Sequence, residues 1–381
     1  MTDTLILTNA QVVTRDSCFS GTVEIRSGEI RDIGEGRSGA PGAVDCDGDF
    51  LLPGLIDIHT DNLEGAMEPR AGVEWPALAG LLAHDRQVVA AGITTVLDAL
   101  SIGFRASASK GRQRAIGFYG GPLQEAQDRG LLRAEHYLHL RCELNSPDVV
   151  KWCGTLIDSP LTRLGSLMDH TPGQRQWRDV DVWRRYIRGK RSVSDAELDE
   201  MLERNLQTQS EWVGPNRSAL LAMFRERGVR VASHDDTTPE HIEEAAADGI
   251  HISEFPTTGE AARAAHAHGM RVVMGGPNVV LGKSHSGNAS ARELAHEGLM
   301  DLMSSDYAPM SMVNAVFSLA EHAGMTLPDA VATASAGPAA ELGFDDRGAL
   351  ACELRADLIR VGRHDGISVV RNVWRAGRQV A

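Results

Sequence analysis

The chain has 381 residues, a formal net charge of −14, 42% hydrophobic and 24% charged residues, and 39 glycines. That length exceeds one domain of about 100–200 residues but accommodates a (β/α)8 barrel of about 250 with a smaller companion. The acidic balance argues against binding a nucleic-acid backbone, although a local basic pocket can still receive a phosphorylated small molecule. No apolar run approaches the ~18 residues of a membrane span, and Met1-Thr2-Asp3-Thr4 has neither the basic nor the apolar region of a signal peptide. A cytoplasmic protein with no membrane partner is expected, its oligomeric state left open, a homo-oligomer included. Cys18, Cys46, Cys142, Cys153 and Cys352 form no C-x-x-C pair and read as reduced thiols.

From Thr4 to about Val44, short alternating runs such as Leu5-Ile6-Leu7, Thr22-Val23-Glu24-Ile25 and Glu29-Ile30-Arg31-Asp32-Ile33 are punctuated by Asn9, Gly21 and Ser27-Gly28. They predict a small β-module. The tail carries similar runs at Ala356 to Val361, Ile367 to Val370 and Val373 to Val380, so both ends are expected to build one domain together. Between them strands and helices alternate. The apolar run from Phe50 to Ile58 leads into His59-Thr60-Asp61. Later strands are predicted at Ile93–Leu100, Tyr137–Glu143, Leu164–His170, Val229–His234, Ile250–Phe255, Met270–Met274 and Leu302–Asp306, with a helix at Glu260–His268. With the first strand these make eight, the number that closes a barrel.

The fold class read from this order is α/β, a (β/α)8 barrel of the TIM type with a small β-sandwich domain built from both chain ends. Boundaries fall at residues 1–51 and 345–381 for the small domain and 52–344 for the barrel. From Gln176 to about Gly228 the pattern changes to long charged helices, opened by a capping box at Ser194-Asp195-Ala196-Glu197, and reads as a helical insertion over the barrel mouth.

Chemistry-bearing residues gather at the predicted strand ends. In a strand, side chains alternate faces, so His59 and Asp61 point the same way and offer half of a metal site. A divalent ion needs further ligands from later strands, and Glu143, His170, His234 (followed by Asp235 and Asp236) and Asp306 end such strands. Each stands before a loop, and turn chemistry such as Thr171-Pro172-Gly173, Thr237-Thr238-Pro239 or Ala308-Pro309 follows. One histidine among 14 would mean little; their common position at the barrel's reactive end gives them weight. Cys142, beside Glu143, should face the helix layer as a small buried hydrophobe.

Other motifs fail. Gly282-Lys283-Ser284 resembles the end of a phosphate-binding loop, but Pro277 stands where that loop needs glycine, and no G-x-S-x-G is present. The basic run Arg184-Arg185, Arg188, Lys190-Arg191 reads as a solvated helix face. Gly275-Gly276-Pro277-Asn278 is either a plain turn or an anion cradle.

With these residues on the page, the chain resembles the amidohydrolase superfamily. The resemblance rests on the two-ended sheet domain, Pro53-Gly54-Leu55-Ile56-Asp57-Ile58-His59, the later His170, His234 and Asp306, and the closing Val373-Trp374-Arg375-Ala376-Gly377-Arg378. More narrowly, it is similar to the hydrolases of carbon–phosphorus lyase phosphonate metabolism. His59-Thr60-Asp61-Asn62-Leu63-Glu64, Pro69 to Pro76, Ser233-His234-Asp235-Asp236-Thr237 and Ser304-Ser305-Asp306-Tyr307 carry that likeness.

The resemblance implies metal-dependent hydrolysis of a small phosphorylated sugar phosphonate, α-D-ribose 1-methylphosphonate 5-triphosphate, to the 5-phosphate and diphosphate. It implies one or two divalent ions, zinc first and manganese or iron as alternatives, held by His59, Asp61, Glu143, His170 and His234. Asp306 would manage protons, and Arg70, Lys283 and His285 would touch phosphate. Two departures stand out. The superfamily's first strand usually carries His-x-His, where this chain has Asp61, a harder oxygen ligand. The strand count also puts His170 and His234 one strand earlier than the superfamily's usual fifth and sixth, so either a strand follows Glu143 unseen or one assignment fails. Hydrolysis of an amide or cyclic amide, and a non-catalytic role in a phosphonate-processing complex, are the rival readings.

Overall fold

The computed structural model describes residues 4–70, 73, 75–103, 121–190, 192–284 and 287–381. Strands β1 (Thr4–Val13), β2 (Cys18–Arg26), β3 (Glu29–Glu35), β4 (Val44–Asp45) and β5 (Phe50–Pro53) come from the start of the chain. Strands β14 (Leu358–His364), β15 (Ile367–Arg375) and β16 (Arg378–Gln379) come from its end. They form one sheet in the order β16-β15-β14-β5-β1-β2-β3, with β4 on β1. The two ends meet where β14 runs antiparallel to β5, Leu358 opposite Pro53.

Alternation along these strands sends Leu7, Val12, Val23, Ile25, Ile30, Leu51, Leu358 and Trp374 into one apolar cluster. The far strands of the sheet come back together around it. The Ile30 N–H donates to the Leu354 carbonyl at 2.9 Å, and a Cβ added at Gly28 would lie 3.1 Å from the Ala376 carbonyl oxygen.

The second sheet is parallel and consists of β6 (Leu55–Thr60), β7 (Ile93–Ile102), β8 (Glu135–Glu143), β9 (Thr162–Met168), β10 (Arg230–His234), β11 (Ile252–Glu254), β12 (Arg271–Gly275) and β13 (Leu302–Ser304). Its order follows the sequence. β8 pairs directly with β9 and β9 with β10, so no strand is hidden after Glu143; His170 follows the fourth barrel strand and His234 ends the fifth. The run Phe50–Ile58 is not one strand. It divides at Gly54, with β5 joining the first sheet and β6 the barrel, and the packing there admits only glycine, since a Cβ would stand 2.4 Å from Thr94 Oγ1.

Between β13 and β6 the barrel closes by a narrow seam. At its upper rim the Asp306 N–H donates to the His59 carbonyl and the Asp61 N–H to the Asp306 carbonyl, both at 2.9 Å. Lower down, residues 333 and 334 fill the gap. The Met303 N–H meets the Thr333 carbonyl and the Ile56 N–H the Ala334 carbonyl, each at 2.8 Å.

Helices cover the barrel's outside, and one of them shows how tightly. The helix Asp195–Arg227 opens with the expected capping box, the Ser194 side chain on the Glu197 N–H and the Glu197 side chain on the Ser194 N–H. Its final turns serve as barrel wall. Phe224 is buried against Gly165 on β9, where a Cβ would lie 2.3 Å from the ring. Its first turns, with the helix Val180–Lys190, enclose a separate core of Trp177, Trp183 and Leu198. The basic run lies on that outer part, where Arg184 pairs with Asp199 and Arg188 with Asp195 at exposed positions. Cys142 is buried in the main core, away from the barrel interior.

Candidate metal centre

The side chains expected to carry chemistry converge at the C-terminal rim of the barrel. His59, at the end of β6, is fully enclosed. Asp61 is not in the strand at all: β6 stops at Thr60, and Asp61 occupies the N-cap of the helix Asn62–Met67 without capping it. Its carboxylate is thereby left for the site, with Oδ1 3.3 Å from His59 Nε2.

Three imidazoles are oriented in the same way. His59 donates from Nδ1 to Glu254 Oε1 and His234 from Nδ1 to Glu254 Oε2, both at 2.7 Å. His170 donates from Nδ1 to Glu143 Oε2 at 2.6 Å and from its backbone N–H to Glu143 Oε1 at 3.0 Å. A carboxylate on Nδ1 fixes the tautomer and leaves Nε2 as the lone-pair donor, the arrangement typical of metal-binding histidines. His170 Nε2 and His234 Nε2 lie 3.6 Å and 3.7 Å from Asp235 Oδ2.

Donor atoms of His59, Asp61 and Asp306 lie within 4.8 Å of one another, as do those of His170, His234 and Asp235. His59 Nε2 is buried without a hydrogen-bond partner. An orphaned imidazole nitrogen beside carboxylate oxygens is a donor set suited to a divalent ion, and the residues present fit one.

The electrostatics are those of buried, opposed charges. Burial disfavours the Asp61 carboxylate, but the Arg141 guanidinium against it and His59 hold its pKa well below the usual range. Burial likewise works against a charged His59, yet Glu254 and Asp61 lift it to about 10, so a divalent ion at Nε2 would take the place of a proton. Burial pushes Asp306 up to about 6, with the Asp61 charge adding to the effect. His139, on the floor of the site, is driven down to about 3 by burial and by His59 and Arg141. It donates from Nδ1 to the Ile58 carbonyl at 3.0 Å and stays neutral.

Asp235, Phe255 and Asp306, each just past a barrel strand, have φ of +55°, +56° and +53°. Left-handed backbone at non-glycine residues is costly, and here it occurs at the ends of the fifth, sixth and eighth barrel strands, which border one cavity. That cavity, of about 270 Å³, is lined by His59, Asp61, Arg141, His170, His234 and Asp306 among others.

Of the residues singled out by sequence, the structure brings His59, Asp61, His170, His234, Asp306 and Lys283 to this cavity. Glu143 stands behind His170 and does not line the cavity, so in this geometry it supports a ligand-type side chain. Arg70 is exposed and off the cavity wall, bridged to Val73. His285 lies outside the described residues. Gly275 caps the short helix Gly276–Leu281, and the Asn278 side chain there holds the Ala289 carbonyl and Ala291 N–H. Sequence reasoning assigned no part to Glu254, Arg141 or Asp235. Glu254 carried a usable signal, being the carboxylate at the end of the sixth strand in the same position as His234 on the fifth.

Residues 185–380 match the amidohydrolase family. The chain is 43% identical over 99% of its length to alpha-D-ribose 1-methylphosphonate 5-triphosphate diphosphatase of Escherichia coli (strain K12), all of which is covered. Among solved structures, a Xaa-Pro dipeptidase with methionine in its active site has a similar fold. It superposes with a TM-score of 0.66 at 14% identity over 99% of each chain. N-isopropylammelide isopropylaminohydrolase from Burkholderia multivorans ATCC 17616 superposes with 0.64 at 17% identity, over 100% of this chain and 98% of that one. At such identities the structural likeness concerns the fold alone. With the family match over half the chain and a relative similar along its whole length, the chain belongs to the amidohydrolase family.

Proposed function

We propose that this chain is a metal-dependent hydrolase that converts α-D-ribose 1-methylphosphonate 5-triphosphate to the 5-phosphate and diphosphate, in the cytoplasm. The observation that carries this reading is the full-length similarity to the E. coli diphosphatase, since the barrel and its donor set would serve amide hydrolysis equally well. His59, Asp61, His170 and His234 would hold one or two divalent ions, with zinc foremost and manganese or iron as alternatives. Asp235 stands within reach of two of the imidazoles. A bound ion would neutralise phosphate oxygens and make water nucleophilic at neutral pH.

The chain's own residues do the rest. Glu254 and Glu143 keep three imidazoles in register. The Asp306 carboxylate, tied by its own backbone to His59, takes the proton of the attacking water and returns it to the departing phosphate oxygen. The small domain, residues 1–51 and 345–381, is read as a β-sandwich beside a barrel of residues 52–344.

The test is phosphorus NMR of the metal-loaded protein with the ribosyl triphosphate. Diphosphate and the 5-phosphate are expected, with the 5-monophosphate inert because it has no phosphoanhydride. Orthophosphate as the primary product, or equal rates on ATP, would overturn the assignment. Turnover of a cyclic amide with no phosphate release would favour the amide-hydrolysing branch of the family.

A further inference from the structure

A triphosphate brings several negative charges into a cavity already walled by Asp61, Asp235 and Asp306, so the protein must place cations of its own among them. Arg141 meets that need in a way Arg70, exposed and off the wall, does not. Residues 139, 141 and 143 share one face of β8 by alternation, and Arg141 enters the cavity with only 14% of its side chain exposed. Nη1 donates to Asp61 Oδ1. Nε is buried with no acceptor, and Nη2 has no hydrogen-bond partner among the described residues.

Nε and Nη2 form one edge of the guanidinium fork, the edge that grips two oxygens of a phosphate or carboxylate side-on. A buried arginine normally has its donors satisfied. Arg175 gives Nη1 to both Asp236 and the His234 carbonyl; Arg217 Nη2 and Arg355 Nε are, like Arg141 Nε, buried without an acceptor, but neither of those residues lines this cavity. Arg141 is thus held at one end by Asp61 while its other edge waits for an acceptor that the described residues do not supply.

We infer that Arg141 is the substrate's phosphate-gripping residue, clamping two oxygens of the triphosphate through Nε and Nη2 while Asp61 fixes its direction. This rests on the triphosphate reading above. Asp61 Oδ1 faces both His59 Nε2 and Arg141, so one carboxylate joins the residues proposed to hold an ion to the proposed grip.

Titration calorimetry of the metal-loaded protein with inorganic diphosphate, with retained metal measured on the same samples, tests the assignment. Arg141→Met is expected to weaken diphosphate binding about 30- to 100-fold with metal content unchanged. Arg141→Lys should recover only part of this, since an ammonium restores charge but not the two-pronged edge. With the ribosyl triphosphate, Arg141→Lys should raise KM while largely sparing kcat.

Diphosphate binding by Arg141→Met within 3-fold of the wild type would overturn the inference. So would affinity that falls only in step with lost metal, which would make Arg141 a prop for Asp61. If the wild type binds diphosphate through Arg141 yet leaves the ribosyl triphosphate intact, the substrate reading fails and the anion-gripping role stands.

Discussion

Asp306 and Asp61 are carboxylates of one cavity with opposite electrostatic settings, the first raised to about 6 and the second held below the ordinary range. That division suits a proton carrier beside a permanently charged ligand. Asp306→Asn keeps the size and tolerates the left-handed backbone, so it should lower kcat by about 10²- to 10⁴-fold with little change in KM. Steady-state kinetics decide, and a variant that loses only substrate affinity removes Asp306 from proton transfer. Asp61→Asn should deplete bound metal and cost turnover about 10²-fold or more. Normal turnover at normal metal content would take Asp61 out of the centre.

His59, His170, His234 and Asp306 were legible in sequence because each ends an apolar run before turn chemistry. The position of Glu254 was readable in the same way, but its part, like that of Arg141, depends on which neighbour it meets across the barrel, and alternation on one strand says nothing of that. Glu143 shows the same limit: its position is readable, but its engagement with His170 is not.

At the scale of elements, the order of the strands and the capping box at Ser194 follow from local pattern, whereas the strands expected to run to His170, Phe255 and Asp306 stop at Met168, Glu254 and Ser304, because these residues turn out of the ladder at the rim. The break at Gly54 needed tertiary knowledge, since only the packed Thr94 side chain makes a glycine compulsory there. So did the network behind the barrel wall, where the helix Ala77–Ala90 meets β7 and β8. His84 and His136 donate to the two oxygens of Asp98 at 2.7 Å and 2.8 Å, and His136 also reaches Asp85 at 3.3 Å, all of them buried.

Burial opposes these charges, but Asp98 and Asp85 raise His136 from 6.5 to about 9, while His136 and His84 lower Asp98 from 3.8 to about 2. The His136 contribution to stability is therefore complete below about pH 6.5 and is lost as pH rises through about 9. The Asp98 contribution is complete above about pH 3.8 and is lost as pH falls through about 2. Asp98→Asn should destabilise by about 3–5 kcal/mol near pH 6. The gap from wild type, read by denaturant unfolding, should shrink between pH 6.5 and 9. A gap that is flat or widening over that range would show that His136 is not charged.

For the whole molecule, eight parallel strands and a sheet shared by both chain ends could be counted from sequence, since each strand carries its own apolar signature. The manner of closure could not. Neighbouring barrel strands pair over several residues. Among the described residues, the first and last meet directly only at the bridge of Thr60 with Asp306, through its two backbone hydrogen bonds, and at the Ser305 N–H on the Asp57 carboxylate, with residues 333 and 334 filling the seam below. The molecule's narrowest join therefore passes through the residue proposed to move protons.

Warming that loosens this join should extinguish catalysis while the remaining strands and helices are still in place. Half-loss of activity is expected several degrees below the midpoint of the helical circular-dichroism signal, with added divalent ion drawing the two together because His59 and Asp61, proposed to hold it, flank Thr60 at the join. Coincident curves at every ion concentration would mean that the seam opens only with the barrel. Where the curves part, the enzyme's working life is set by a few backbone hydrogen bonds at its rim, and its bulk melting temperature overstates how long it stays useful.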